Sequence, residues 1–395
     1  MKLKTLVVFC SLLAPAFSAG VSATEAAVPD DRRQALEELG QALFFDTSLS
    51  LNRSQSCASC HDPAHAFADP GTNTQAGAVS LGDNGHSLGD RNAPSVAYAA
   101  FSPVFHRDSE GRYVGGQFWD GRAATLADQA KGPPLNPVEM GLPDAASVRA
   151  RLLENPYYER QIPSLFGASS LASDDAAFAA MAQSIEAYER SAALSSFDSK
   201  YDRFLRGEYR MTEQEELGRT LFFSQQFTNC NQCHQLQESP IDKRETFSNY
   251  QYHNIGVPVN QAVRAANGTA ASYTDPGLLN NPAVTGPAEQ GKYKVPTLRN
   301  VAVTGPYMHN GIFTDLETVV RFYNSYNSKS AVSKFNPETG TPWGEPEVPL
   351  SLSLKELESG PALDNKRIAA LVAFLKTLTD QRYEALLDTR GNIGL

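Results

Sequence analysis

The sequence lacks two features that define large classes of proteins. Nowhere in its 395 residues is there an apolar run of about 20 residues, the length that a membrane-spanning helix needs. It also lacks a basic excess, because 34 lysines and arginines stand against 44 aspartates and glutamates, for a formal charge of −10. Proteins that bind nucleic acids usually carry a basic face. We therefore expect neither a membrane span nor a nucleic-acid partner, and the length favours two globular domains.

A short apolar run near the N-terminus indicates export. Lys2 and Lys4 precede residues 6–13, which are apolar, and small residues then lead to Val21-Ser22-Ala23. A charged start, a short apolar stretch and a small-residue cleavage site are typical of a secretory signal peptide. The pattern predicts a signal peptide over residues 1–23 and a periplasmic location for the mature chain.

Cysteine is scarce, and its placement is informative. Of five cysteines, Cys10 lies inside the signal peptide, and the others form the motifs CASCH at 57–61 and CNQCH at 230–234. Disulfides or a zinc site are the alternatives in an exported protein, but neither accounts for a histidine directly after each pair. CxxCH is the attachment sequence of c-type haem, in which both cysteines form thioethers and the histidine binds iron. The motifs predict two covalently bound c-type haems, attached at Cys57 and Cys60 with His61 and at Cys230 and Cys233 with His234.

The same phrase precedes both motifs. Residues 39–45 read LGQALFF and residues 217–223 read LGRTLFF. The spacing of Leu, Leu and Phe predicts one face of a helix in each copy, and Thr212 with Glu215 predicts a capping box at the start of the second. Apolar periodicity predicts further helices, at 144–154, 176–193, 315–326 and 364–378, whereas alternating strand patterns are scarce.

The predicted fold is therefore mainly α, with two cytochrome c-like domains and long irregular loops. After the signal peptide, the repeat predicts an N-terminal domain over 24–205 and a C-terminal domain over 206–395, each carrying one haem. The boundary near residue 205 follows from the position of the second copy of the repeat.

Function depends on the sixth coordination site of each iron. If protein side chains fill both sites, the protein is an electron carrier; if one stays open, peroxide can bind and the protein is an enzyme. With His61 and His234 assigned, five histidines remain as candidate sixth ligands. These are His65, His86, His106, His253 and His309.

Four further phrases carry a family resemblance: FWDGRA at 118–123, NPVEM at 136–140, VPTLRNV at 295–301 and PYMHNG at 306–311. Together with the order of the haem motifs, they resemble the bacterial di-haem cytochrome c peroxidase/MauG superfamily over nearly all of the mature chain. The resemblance implies a periplasmic enzyme that reduces hydrogen peroxide with two haems and a Ca²⁺ between them. Its electron donor would be a small c-type cytochrome, a cupredoxin or a protein substrate.

The resemblance also implies catalytic roles. Glu139 would be the acid/base over the first, peroxidatic haem, and Gln129 and Pro133 would line the same pocket. Trp119 would carry electrons between this haem and the second, electron-transfer haem. From the residues alone, Glu139 could equally be an acid in the first turn of a helix, and Trp119 a core aromatic.

By the same resemblance, the calcium ligands would be Asn92 and the backbone carbonyls of Thr304 and Pro306. Oxygen ligands suit this hard ion. The alternative for Asn92 is a turn residue before Pro94.

Two departures from the conventional peroxidases of this family indicate the MauG-like branch. Conventional members have a histidine that caps the first haem until reduction releases it; here Asp83 or Asn84 stands near that place, and His86 follows about two residues later. This favours an open first haem and places His86 in a surface loop.

The second departure lies fourteen residues after His309, where conventional members have a methionine ligand and this chain has Tyr323. A tyrosinate favours ferric iron. Thr314 with Glu317 predicts the start of a helix that carries Leu316, Val319 and Tyr323 on one face. Core packing of Tyr323, or Met308 as the ligand, are the alternatives.

The leading hypothesis is a periplasmic MauG-like di-haem peroxidase in which Tyr323 binds the second iron. A conventional, reductively activated cytochrome c peroxidase and a non-catalytic di-haem electron-transfer cytochrome are the alternatives. The resemblance to the MauG-like branch would imply a surface tryptophan two residues before the second CxxCH, but Thr228 occupies that place here, so the substrate chemistry of that tryptophan is not expected of this chain. Trp343, the other tryptophan of the chain, is a further candidate for carrying electrons at the surface.

Overall fold

A computed structural model describes residues 30–239 and 241–390. The predicted signal peptide lies outside these residues. Among the described residues, none of the helices combines the length and the apolar character needed to cross a membrane.

The described chain is mainly helical, which confirms the predicted fold class. The helices are α1 (Asp30–Phe44), α2 (Cys57–Cys60), α3 (Leu126–Ala130), α4 (Gly132–Leu135), α5 (Ala145–Leu153), α6 (Pro156–Phe166), α7 (Asp174–Glu189), α8 (Lys200–Leu205), α9 (Glu213–Phe223), α10 (Gln261–Asn267), α11 (Leu316–Asn327), α12 (Leu354–Leu357), α13 (Asn365–Lys376) and α14 (Leu386–Arg390). Two antiparallel pairs of two-residue strands complete the structure: β1 (His106–Arg107) with β2 (Tyr113–Val114), and β3 (Tyr252–His253) with β4 (Tyr293–Lys294).

Two helix starts were predicted from caps, and one of them is wrong. The Thr212 hydroxyl accepts from the Glu215 amide at 3.2 Å, and the Glu215 carboxylate accepts from the Thr212 amide at 2.8 Å, so the capping box of α9 is confirmed. Helix α11 is capped by Asp315, and Thr314 instead bonds the Glu338 side chain. Asp315 is the cap because its carboxylate accepts hydrogen bonds from the amides of Glu317 and Thr318, in the first turn of the helix.

The internal repeat reproduces one helix crossing in each half of the molecule. Helix α1 packs on α7 and helix α9 packs on α13. A Cβ on Gly40 would lie 1.8 Å from the Ser184 carbonyl oxygen, and a Cβ on Gly218 would lie 1.9 Å from that of Ala370. The glycine of each LG dipeptide is therefore where the two helix backbones touch, and any larger residue would push them apart.

Each of these crossings lies inside its own hydrophobic core. The first core contains buried residues between Leu39 and Phe197, with Tyr250 added from the C-terminal half. The second contains buried residues between Tyr201 and Leu378. Hydrogen bonds join the halves, among them one from the Tyr98 hydroxyl to the Asp380 carboxylate at 2.5 Å. The two cores agree with two domains, and the boundary near residue 205 stays a prediction.

Candidate haem-binding cavities

The first CxxCH motif lies in the wall of a cavity in the N-terminal half. Cys57 and Cys60 are on α2, directly before His61, and all three residues line one open cavity. The Nδ1 atom of His61 lies 3.3 Å from the Phe67 carbonyl oxygen. A bond at Nδ1 leaves the Nε2 lone pair available for a metal.

The second motif repeats this arrangement. Cys230, Cys233 and His234 line a predominantly apolar cavity in the C-terminal half. The Nδ1 atom of His234 lies 2.9 Å from the Phe247 carbonyl oxygen. Burial lowers the pKa of His61 and brings that of His234 to about 4, so both imidazoles are held neutral, in the form that binds iron.

The carbonyls that orient the two histidines come from a shared backbone feature. Phe67 and Phe247 both have φ of +56°, in the left-handed region. Sequence reasoning missed both residues because Phe67 follows its histidine by six positions and Phe247 by thirteen, so no common spacing connects them.

The four cysteines are free thiols in the described structure. The two pairs line different cavities, an arrangement that does not bring four sulfurs to one zinc ion. Burial raises the pKa of the Cys57 thiol to about 12 and that of the Cys230 thiol to about 11, well above the range of reactive thiolates. Each pair of cysteines lines the same cavity as the histidine that follows it.

The predicted peroxidatic residues share the N-terminal cavity with His61. Glu139, Gln129 and Pro133 all line it. Glu139 lies in a turn after α4, so its interpretation as a first-turn helix acid is wrong. Burial raises the pKa of the half-buried Glu139 carboxyl, although the charge of Arg122 opposes the shift.

The candidate caps of the first haem lie outside this cavity. His86 is exposed, and its Nδ1 atom lies 2.9 Å from the Asn84 carbonyl oxygen. The buried Asp83 carboxylate accepts hydrogen bonds from the hydroxyls of Ser50 and Ser54, at 2.8 and 2.6 Å. Among the described residues, His61 is the one histidine that lines the N-terminal cavity.

The C-terminal cavity holds several candidate sixth ligands. Tyr323 lines it together with Leu316 and Val319, as their shared helix face predicted, and Met308 lines it as well. Burial raises the pKa of Tyr323 far above its usual value, with the two neighbouring cysteines adding to the shift.

Two histidines of this cavity have unpartnered buried nitrogens. The Nε2 atoms of His253 and His309 have no hydrogen-bond partner among the described residues. The His309 ring stacks on Tyr293 with centroids 3.6 Å apart. Native proteins rarely leave such nitrogens unsatisfied, so the cavity fits a bound group that carries hydrogen-bond acceptors, as haem does.

A thin wall separates the two cavities. Trp119, Lys294, Val295 and Pro296 line both of them. The Trp119 indole N–H donates to the Asn92 carbonyl at 2.8 Å, and the Trp119 carbonyl accepts from the Lys294 amide at 2.9 Å. Sequence reasoning placed Trp119 between the haems but missed Lys294, which directly precedes the VPTLRNV phrase.

Of the predicted calcium ligands, Asn92 lies beside this wall, because its carbonyl accepts from the Trp119 indole. The buried Asn92 donates its side-chain N–H to the carbonyls of Gly77 and Ala78. Thr304 and Pro306 are half-buried in the loop before α11. No group of three or more His, Cys, Asp or Glu side chains in the described part of the chain could hold a metal ion, so a calcium site here would depend on neutral oxygens.

Comparison with known proteins identifies the family. Residues 34–210 match the family of di-haem cytochrome c peroxidases. The chain is 54% identical over 376 residues to the methylamine utilization protein MauG of Paracoccus denitrificans, covering 95% of this chain and 96% of that protein. It is 31% identical to the cytochrome c551 peroxidase of Nitrosomonas europaea, over 77% of this chain and 78% of the relative.

Solved structures agree with these relatives. The diheme peroxidase BthA from Burkholderia thailandensis superimposes with a TM-score of 0.76 at 32% identity, covering 88% of this chain and 87% of BthA. Both haem motifs, the two cavities and this likeness over nearly the whole chain point to one conclusion. The chain belongs to the di-haem cytochrome c peroxidase/MauG family and is a MauG-like di-haem peroxidase.

Proposed function

We propose that the two cavities hold covalently attached c-type haems with different tasks: the N-terminal cavity receives hydrogen peroxide and the C-terminal cavity relays electrons. One observation carries the proposal: different ionisable and polar side chains line the two cavities. The first has a carboxyl and an amide, Glu139 and Gln129, and no histidine besides His61 among its described lining residues. The second has a phenol, Tyr323, which lines the same cavity as His234.

Cys57 and Cys60 would hold the first haem with His61 on its iron, and Cys230 and Cys233 the second with His234. When bound, the haems would supply the iron chemistry that takes up the two oxidising equivalents of peroxide. The protein's own task at the first site is to move protons.

Glu139 would take a proton from peroxide and return it to the departing oxygen, which leaves as water. A general acid–base group works best when its pKa lies near the operating pH, and burial moves the pKa of Glu139 in that direction. Gln129 can donate its amide N–H to the bound peroxide, and Pro133, which has no N–H, shapes the wall. The balanced reaction consumes one peroxide, two electrons and two protons and yields two waters.

Electrons would pass from the C-terminal cavity through Trp119, which lines both cavities. We assign Tyr323, rather than Met308, as the second ligand of the C-terminal iron. Burial raises the pKa of the Tyr323 phenol, so it would lose its proton, to solvent, only when its oxygen binds the metal. A phenolate stabilises ferric iron, which suits a peroxidase that starts fully oxidised.

The remaining assignments belong to the same proposal. Asn92, Thr304 and Pro306 would bind a Ca²⁺ near the wall between the cavities. The domains would be 24–205 and 206–395, and the signal peptide would direct the chain to the periplasm. A small redox protein or an oxidisable protein side chain would supply the electrons.

The experiment mixes fully ferric holoprotein with hydrogen peroxide in a stopped-flow spectrometer, without prior reduction. The proposal expects fast peroxide consumption, with two haems remaining on the polypeptide in a denaturing mass spectrum. Activity only after one-electron reduction would favour the conventional peroxidase. Failure of ferric protein to bind cyanide would show that both sixth sites are filled, as in an electron-transfer cytochrome.

A further inference from the structure

Lys294 is the one lysine that lines the wall between the two cavities in the described structure. It lies on β4, opposite Tyr252, and its amide bonds the carbonyl of Trp119. The strand pairing and this hydrogen bond fix the backbone of Lys294, and its half-buried side chain lines the wall.

The Lys294 ammonium has only neutral partners. It donates to the Gly116 carbonyl and, at 3.3 Å, to the Ser102 hydroxyl. Asp120 is the carboxylate that favours its charged form, whereas burial acts more strongly and lowers the pKa of Lys294 to about 7. An ammonium buried this way is costly unless an anion balances it.

Asp120 cannot be that anion, because other cations already use it. Its carboxylate is fully buried and bonds Arg91 at 2.7 Å and Arg122 at 3.0 Å. Arg91 in turn pairs with Asp275 at 2.6 Å. These groups form a balanced network beside Lys294, and the lysine is left without a counter-charge of its own.

We propose that Lys294 is a cofactor-binding residue shared by both haems, its ammonium facing the haem carboxylates and raising the reduction potentials of both irons. The inference rests on the proposed function, since it needs a haem in each cavity. The haem carboxylates would supply the missing counter-charge. A positive charge near an iron favours the ferrous over the ferric state.

A purely structural role is the competing explanation, in which Lys294 only ties the Gly116 carbonyl to β4. A neutral hydrogen-bond donor at this position would satisfy the structural explanation but not the proposed one, which needs a positive charge. Lys294→Gln keeps a donor for Gly116 but removes the charge, whereas Lys294→Met removes both. Lys294→Arg keeps the charge.

The test is a spectroelectrochemical titration of both haems in holoprotein of each variant. We expect Lys294→Gln and Lys294→Met to lower the reduction equilibrium constant of both haems about tenfold, a shift of about 59 mV for a one-electron couple. Lys294→Arg should stay within threefold of the wild type. Lys292→Met serves as the control, since Lys292 pairs with Glu289 at 3.1 Å and lies outside both cavity linings.

Potentials unchanged in Lys294→Gln, or a shift confined to one haem, would overturn the inference. If the Gln and Met variants lose a haem that Lys294→Arg retains, the positive charge is needed to hold the haem, and the inference stands. If the wild-type protein itself carries fewer than two haems in the denaturing mass spectrum, the proposed function fails first, and the two failures are thereby distinguished.

Discussion

Replacing Glu139 by glutamine tests the proposed proton transfer with little change of shape. The side chain keeps its size and its place in the turn after α4, but it can no longer accept and return a proton. General acid–base catalysis contributes about 10²- to 10⁴-fold to a rate, which corresponds to about 3 to 5 kcal/mol in activation free energy. We expect the second-order rate constant for the reaction of ferric holoprotein with peroxide to fall by that factor.

The pH dependence of the peroxide reaction rate tests the same role of Glu139 independently. Burial raises the pKa of the Glu139 carboxyl above its usual value of 4.5. The base form therefore appears at a higher pH than in an ordinary glutamate, and the wild-type rate should climb through this shifted pKa. Lacking the titrating group, Glu139→Gln should show no such step.

Stability separates this loss from misfolding. Because the folded-state pKa is raised, folding favours the protonated carboxyl, and this contribution is present at low pH and lost as the pH rises through the folded pKa. Near neutral pH the neutral glutamine should therefore leave the Tm at or slightly above that of the wild type. Glu159→Gln, an exposed residue on α6, makes the same change in charge as a control. A Glu139→Gln rate within threefold of the wild type, or one that keeps the pH step, would refute the acid/base role.

Three further substitutions test the scaffold, the metal and the second haem. Gly218→Ala should cost about 1–3 kcal/mol of stability, because it overpacks the crossing of α9 and α13. Thermal unfolding should show this as a Tm lower by several degrees. Gly89→Ala is the control and should leave the Tm unchanged, because its Cβ would meet its nearest atom at 3.6 Å. Chelation of Ca²⁺ should lower the Tm of the wild type but not that of Asn92→Ala; equal sensitivity in both would remove Asn92 from the site. Tyr323→Phe should raise the reduction potential of one haem and change its ferric absorption spectrum, whereas Tyr326→Phe, whose hydroxyl bonds the Ile255 carbonyl instead, should change neither.

Local patterns predicted the helices well where the chemistry is local. The repeated phrase and the α9 capping box were predictable because apolar spacing and cap residues act within one turn of a helix. Helix α6 was missed; it has Pro156 in its first turn and Pro163 inside it, and proline is usually a sign that a helix stops. The start of α11 was misplaced by one residue because Thr314 and Asp315 are both good caps, and only the position of Glu338 shows which one is engaged elsewhere.

The cavity walls show where sequence reasoning ends. CxxCH predicts a haem-binding histidine because the chemistry requires adjacent residues. The carbonyls that orient the two histidines are supplied by backbone at Phe67 and Phe247, and any residue type could supply a carbonyl. Lys294 could not be found either, because its significance comes from a wall that residues 119 and 294–296 build together.

The two halves of the molecule share a scaffold and differ in what they place on it. The glycine contact between helices and the histidine-to-carbonyl bond occur in both halves. The carboxyl of Glu139 and the phenol of Tyr323 each occur in one cavity. A few lining side chains thus make two similar cavities chemically unequal. Because Trp119 and Lys294 line both cavities, we expect a substitution on that wall to act on the two sites together, whereas a substitution at Glu139 or Tyr323 should act on one.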